Sequence, residues 1–421
     1  MRRALLLVVV LAGCMKTSEK YCQLHAAEDP ENCPPPDGPI GGSCTSDPDC
    51  TGMAGTPACD TDRKVCVPCV TNAHCANPLP VCQPDQTCGT CRAHTDCTSQ
   101  VCEESGRCAD ESDVAYVDPT GNGSMCTKAE PCANVDAAEK TDRRIIKVDG
   151  GTIFDNLTVL EPQGRLDVYA TPGAKMQRSQ QGSVLEIKGS TADVHIHGLE
   201  ISGATGGSSA HGIVMTQDDP KLTLDRAIVA ANSGLGILAS AGTLVMDGCV
   251  VTRNAAGGAN IQMTAYAITN SLFVVNGTPS VSSTGGLTLG SISASDRFEF
   301  NTVAENSSLS TVPGRGVNCV TTTNLSDSMF INNRTNLANC IVTSSLYEVG
   351  ATVPTGGNLT GDPAFDVQDP AMYASPRYFR ITSASAARNM ADAAATLATD
   401  IDRDARPQEG RRDIGADEYK P

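Results

Sequence analysis

Two stretches decide the fold: Leu222-Thr-Leu-Asp-Arg-Ala-Ile-Val-Ala-Ala-Asn232 and Leu244-Val-Met-Asp-Gly-Cys-Val-Val-Thr-Arg-Asn254. They match position for position as a short apolar-alternating run, an Asp, a bend, a second apolar run and an Asn. The phrase returns at residues 266–276, 296–306 and 323–333, so Asn recurs at 232, 254, 276, 306 and 333, in steps of 22, 22, 30 and 27. Gly212-Ile213, Gly236-Ile237 and Asn260-Ile261 follow one another every 24 residues. A period in the low twenties with two or three tiny strands per turn is that of a parallel β-helix. Its coils stack at about 4.8 Å, so like side chains lie above like. Alternate residues enter a narrow core, which suits Val, Ile, Leu and Ala. An Asn at a bend can turn inward and hydrogen-bond to the coils above and below, satisfying backbone groups that the turn leaves unpaired. Longer steps are coils with loops let out. Hexapeptide repeats and the Gly-Gly-x-Gly-x-Asp repeat are missing, which favours the right-handed form.

The same register carries finer expectations. Asn301 falls at an inward bend matched by Ala227, Cys249, Ser271 and Ser328, which makes Cys249 a small buried thiol. Cys319 and Cys340 lie 21 residues apart, about one coil, and are candidates for a disulfide between stacked positions. Cys126 and Cys132 are candidates for closing a local loop.

Ahead of this body, residues 44–108 hold three sets of four cysteines, beginning at Cys44, Cys69 and Cys91. Each set opens with a five-residue gap, as in Cys44-Thr-Ser-Asp-Pro-Asp-Cys50 and Cys91-Arg-Ala-His-Thr-Asp-Cys97. Units this short and this poor in apolar side chains cannot bury a core, so cross-links must substitute. Cys66-Val-Pro-Cys69 and Cys88-Gly-Thr-Cys91 have zinc-like spacing, but they are seams between repeats, and twenty cysteines point to an oxidising compartment where disulfides are favoured. Four cysteines allow three connectivities, which the sequence leaves open. The repeats loosely resemble the Cys-x-x-Asp-x-Asp-Cys modules of myxobacterial surface proteins, a likeness that implies no activity. The fold expectation is thus an all-β chain, a right-handed parallel β-helix (solenoid) over 115–365 preceded by a disulfide-rich, loop-rich repeat stalk.

The chain starts Met1-Arg2-Arg3, runs apolar from Ala4 to Leu11 and continues Ala12-Gly13-Cys14. Two charges, a short apolar core and small residues read as a secretory signal over 1–13, far short of the roughly 20 residues that span a bilayer. Leu-Ala-Gly-Cys resembles the lipobox of bacterial lipoproteins, which implies lipidation of Cys14 and a membrane partner through that anchor. Met15 follows, with no Asp to suggest inner-membrane retention, so the expected address is the outer membrane, facing the exterior or the periplasm. Residues 14–43, with Pro34-Pro35-Pro36 and Gly41-Gly42, read as lipidated N-terminus and linker. A net charge of −17 repels phosphate backbones and makes nucleic acid an improbable partner.

Two further resemblances cover about 115–421. Tyr116-Val-Asp-Pro-Thr-Gly-Asn-Gly, with Glu130-Pro-Cys-Ala-Asn-Val-Asp-Ala-Ala, resembles the opening of pectin-lyase-like β-helix proteins. Asp400-Ile-Asp-Arg-Asp-Ala-Arg-Pro and Arg412-Asp-Ile-Gly-Ala-Asp-Glu-Tyr419 are similar to the choice-of-anchor Q domain of bacterial surface proteins. The second implies that residues 366–421 form a C-terminal cap, expected to close the open end of the helix.

Enzymes of that fold use several converging carboxylates, with calcium and a basic residue in lyases or as Asp pairs in hydrolases. The strand that begins each coil offers outward Glu186, Val214, Leu238, Gln262, Thr288 and Asn318, a nearly neutral face. Asp218, Asp219, Lys188 and His211 are the catalytic candidates, with solvated turn residues the preferred reading. Asp225 stacks over Asp247 on the neighbouring face. His195 and His197 share one side of a strand at a spacing that can bind metal. With Val194 and Ile196 inward, both are expected to project into solvent, and neither a metal nor another cofactor is expected. The chain has no Trp and 15 Phe and Tyr, so aromatic platforms for sugars are scarce. The expected function is a lipid-anchored cell-surface adhesion or recognition module for a polysaccharide or protein ligand, without catalysis. A polysaccharide lyase or glycoside hydrolase is the alternative.

Overall fold

The computed structural model describes residues 41–309, 311, 315–333, 336–366 and 379–421. The expected signal peptide, Cys14 and residues 15–40 of the linker lie outside them. The chain divides into two compact units, Met1–Cys108 and Ala109–Pro421. Among the described residues no helix is long and apolar enough to cross a membrane.

In the first unit each set of four cysteines pairs first with third and second with fourth. The disulfides are Cys44–Cys59 and Cys50–Cys66, Cys69–Cys82 and Cys75–Cys88, and Cys91–Cys102 and Cys97–Cys108. Residues of the five-residue gap make a single helical turn whose closing side chain folds back onto it. Asp49 accepts the backbone N–H groups of Thr45 and Ser46, and Asp96 those of Arg92 and Ala93. In the middle repeat His74 Nδ1 does the same for Val70 and Thr71. The seams fall between disulfide pairs, so Cys66 and Cys69 belong to different modules.

The second unit is the parallel β-helix. Among the described residues its strands form three parallel sheets of ten, ten and eight strands. The first sheet runs from Val114–Val117 to Ile341–Thr343, the second from Gly151–Asp155 to Leu359–Thr360, and the third from Thr158–Leu160 to Leu337–Ala338. One helical turn, Val135–Glu139, is capped by Asn134 accepting from Ala137 N. Val194 and Ile196, Leu222 and Leu224, and Leu244 and Met246 stack rung on rung in the core, beside Val229, Val251 and Phe273 from the second sheet.

Each coil bends through single residues in the left-handed region, and the residue after the bend points inward. Arg226, Asn270 and Phe300 precede Ala227, Ser271 and Asn301, while Ala231, Arg253 and Val275 precede Asn232, Asn254 and Asn276. A backbone N–H at such a corner has no strand partner, so the next coil supplies one. Asn232, Asn254, Asn276, Asn306 and Asn333 form a buried ladder, each Nδ2 donating to the Oδ1 of the following Asn at 2.9–3.1 Å. Each also donates to a carbonyl of the preceding coil, Asn254 to Val229 O and Asn276 to Val251 O. A second ladder climbs the other corner, with Cys249 N donating to Ser271 Oγ, Ser271 N to Asn301 Oδ1 and Asn301 N to Ser328 Oγ. Cys249 is a free, fully buried thiol, and burial pushes its pKa up to about 12. Cys126–Cys132 and Cys319–Cys340 are disulfides.

The C-terminal segment departs from the expected end cap. It runs back along the outer face of the second sheet, where Phe379, Ile381, Ala391, Ile401 and Ile414 pack on outward Val250, Leu272, Val274, Met329 and Leu346. Polar ties bind the same flank: Gly415 N donates to Asp327 O, Ala416 N to Thr302 Oγ1, and Arg403 pairs with Asp225 and Asp247. The reason lies in that sheet's strands. Val250–Thr252, Leu272–Val274 and Met329–Ile331 are buried at all three positions. A strand apolar on both faces needs cover on both.

Candidate functional site

The strand Asp193–His197 lies inside the first sheet, between Arg165–Ala170 and Lys221–Asp225. Val194 and Ile196 anchor it in the core, so Asp193, His195 and His197 point outward, as alternation requires. Contrary to the sequence expectation, both histidines are buried, His195 at 8% and His197 at 5% exposure. Their neighbours on adjacent rungs account for this. Asp167 pairs in register with His195, and Tyr169 and Asp225 flank His197 on either side. The Tyr169 ring lies flat on the His197 imidazole, centroids 4.5 Å apart and planes 10° apart.

Each imidazole is gripped by a carboxylate. His195 Nε2 meets Asp193 Oδ1 at 2.9 Å, and His197 Nδ1 meets Asp225 Oδ2 at 3.3 Å. His197 Nε2 faces Asp167 Oδ1 at 3.9 Å. Arg165 grips Asp167 with two nitrogens at 2.8–2.9 Å. Burial pushes the Asp167 carboxyl up, but hydrogen bonds from His197 and Arg165 outweigh it and hold the pKa at about 2. Asp225 is likewise driven up by burial and held below the carboxylate range by His197, Arg226 and Arg403.

One outward column of this sheet reads Tyr116, Lys147, Tyr169, His197, Asp225 and Asp247 from rung to rung. Asp225 and Asp247 stack directly, an unfavourable like-charge pairing that Arg403 relieves by bridging both. Lys147, between two tyrosines, is 1% exposed, and burial lowers its pKa.

The four catalytic candidates stand elsewhere, each in a local role. Asp218 and Asp219 are exposed in a turn, both in the left-handed region that Asp tolerates, and Asp219 Oδ1 accepts Gly242 N. Lys188 pairs with Glu186 at 3.2 Å. His211 is half-buried, its pKa lowered by burial, and its Nδ1 accepts Leu235 N at 3.0 Å. Hydrogen bonds and ion pairs among the described residues do not join the four into one constellation.

The outward column of the third sheet reads Glu186, Val214, Leu238, Asn260, Thr288, Asn318 and Ala338. Asn260 takes the rung that the sequence reading gave to Gln262, which lies beyond the strand and donates to the Asn260 side chain. At Thr288 and Asn318 the face opens into a recess of about 390 Å³, walled by Ser282, Ser283, Thr284, Leu309 and Thr311. Hydroxyls dominate it, and its lining carries no charged side chain.

No known protein-family model matches the chain, and no curated protein matches it. Several solved structures are similar to it in outline. Pectate lyase Pel9A is 15% identical over 73% of this chain and 96% of its own, with a TM-score of 0.42. The pectin methylesterase from Aspergillus niger, in penultimately deglycosylated form, is 12% identical over 61% of this chain and 86% of its own, TM-score 0.39. Pectin methylesterase PemA from Erwinia chrysanthemi is 12% identical over 63% and 96%, TM-score 0.26. Likeness this distant says nothing about chemistry.

Proposed function

We propose that this chain is an exported, lipid-anchored surface module that recognises its ligand on the third sheet rather than transforming it. The observation that carries this reading is the composition of that face. Its single ionisable rung, Glu186, is paired to Lys188, and its recess offers the hydroxyls and amide of Ser282, Ser283, Thr284, Thr288 and Asn318. Such a surface can donate and accept hydrogen bonds from a neutral ligand such as a glycan chain. General acid–base catalysis needs titratable groups within reach of a bound substrate, and on the neighbouring first sheet Asp167, Asp225 and Asp247 are committed to Arg165, Arg226 and Arg403. The disulfide-braced repeats suit a stalk that stands in an oxidising exterior, and the lipobox-like Leu11-Ala12-Gly13-Cys14 would tie that stalk to the outer membrane.

Two measurements test the reading. Incubating the protein with uronic-acid polysaccharides is expected to yield neither unsaturated products nor new reducing ends. Turnover that disappears in Asp218→Ala with Asp219→Ala overturns the proposal in favour of a lyase or hydrolase. Cys14→Ser is expected to move the protein into the soluble fraction; retention on membranes defeats the anchor. Thr288→Arg with Asn318→Arg fills the recess with charge and is expected to abolish binding to whole-cell glycans captured by the parent.

A further inference from the structure

We propose that Asp167, His195 and His197 form a binding site for one divalent transition cation of the zinc class, placed on the outer face of the first sheet. One ligating atom from each residue can be chosen so that all three lie within 4.8 Å of one another, and all three residues are buried. Zinc bonds of about 2.0–2.1 Å in a tetrahedron put ligand atoms about 3.3 Å apart. His197 Nε2 and Asp167 Oδ1, at 3.9 Å, need only a small inward movement to reach that spacing.

The histidines are already oriented as metal ligands are. A coordinating imidazole characteristically gives its second ring nitrogen to a carboxylate, which fixes the ring and raises its basicity. Here Asp193 meets His195 Nε2 and Asp225 meets His197 Nδ1, which leaves His195 Nδ1 and His197 Nε2 to coordinate in the proposed site. The stacked Tyr169 ring holds His197 against rotation. Asp167 retains lone pairs for a metal while held by Arg165, since a carboxylate accepts about four hydrogen bonds or bonds to metal.

The backbone supplies rigidity. The ligands sit on two hydrogen-bonded rungs in register, with Asp167 beside His195, and Asp225 reaches in from a third. A cation there would staple two successive coils directly, with Asp225 of a third holding His197 in place. Two nitrogens and one carboxylate oxygen suit zinc or cobalt, whereas calcium and magnesium favour all-oxygen shells.

The competing account is a metal-free ladder of imidazoles hydrogen-bonded between carboxylates, and the experiment separates the two. The intact disulfide-bonded chain, stripped with chelator, is titrated calorimetrically with Zn²⁺ in excess Ca²⁺. One zinc per chain is expected, with a rise in melting temperature. Co²⁺ is expected to give visible bands of four-coordinate geometry. Asp193→Asn leaves the ligands in place and is expected to weaken zinc about 10–100-fold, while His195→Ala with His197→Ala abolishes stoichiometric uptake. No uptake by the parent overturns the site. So does uptake that Asp193→Asn leaves unchanged, a result that needs no folding of the double variant.

Discussion

Arg406 is buried in the C-terminal segment and held on several sides. Its side chain and that of Glu418 are 0% and 1% exposed and meet at 3.1 Å, with the guanidinium over the Phe300 ring and donating to the carbonyls of Asp413 and Gly415. Truncating one partner of a buried pair strands the other charge, at a cost of about 3–5 kcal/mol. Arg406→Ala is expected to lose about that much by urea denaturation, whereas Arg406→Met with Glu418→Leu recovers most of it. Asp417 gives the segment a pH dependence. Burial raises its pKa to about 7, despite Arg380 nearby at 3.4 Å and the hydrogen bond from Ile381 N. The folded chain therefore holds a proton there that the unfolded chain, with a carboxyl near 4, releases. That contribution is full below about pH 4 and is lost as the pH climbs toward 7. Asp417→Asn keeps an acceptor for Ile381 and removes the titration. Its melting temperature is expected to fall less than the parent's between pH 4 and 7.

Among the elements, the asparagine ladder is where sequence and structure meet most directly. Asn254 donates to Asn276 Oδ1 and Val229 O and accepts from Asn232, all without solvent. Asn254→Ala leaves these groups unpaired, each worth about 1–3 kcal/mol when buried. A loss of about 3 kcal/mol in chemical denaturation is expected, against little for a substitution at exposed Arg253. The ladder is legible because its coils keep their length over two steps of 22 residues and because an in-register Asn has few other uses. The histidine site is not legible in that way. Asp167, His195 and Thr223 stack across steps of 28 residues, since the loops of these coils are longer. A reader counting 22 meets the wrong partners. Burial of His195 and His197 is hidden for a related reason: alternation gives the face a side chain occupies, and what lies on that face is set by residues far along the chain. Gln262 was misplaced by the same slippage. Ile213 pairs with Ile237 after 24 residues, but Ile237 pairs with Ala259 after 22, so a constant step overshoots by two.

At the scale of the whole molecule, two strategies of stabilisation occupy the two units. Among the described residues of the first, stability relies on paired cross-links whose cysteines make up most of the buried core, as in Cys44, Cys50, Cys59 and Cys66. The second relies on a continuous apolar column and needs a cover for its second sheet. The unbroken triplets Leu272-Phe-Val and Met329-Phe-Ile already announce two apolar faces, yet a plug at the end was the simpler expectation, because nothing local says which surface a distant segment will choose. A chain ending at residue 366 is expected to bind a hydrophobic dye and to sediment as aggregates, while the chain through Pro421 stays monodisperse by light scattering. The strap also has a consequence in time. Synthesis proceeds from the amino end, so the coils carrying Val250 and Leu272 exist well before Ile401 and Ile414 arrive to shield them. Until the segment from Phe379 to Ile414 has emerged, a nascent copy leaves the apolar outer face of its second sheet open to water. A copy that stops short of that segment keeps the same face bare, so the covering of this sheet depends on residues translated long after its strands.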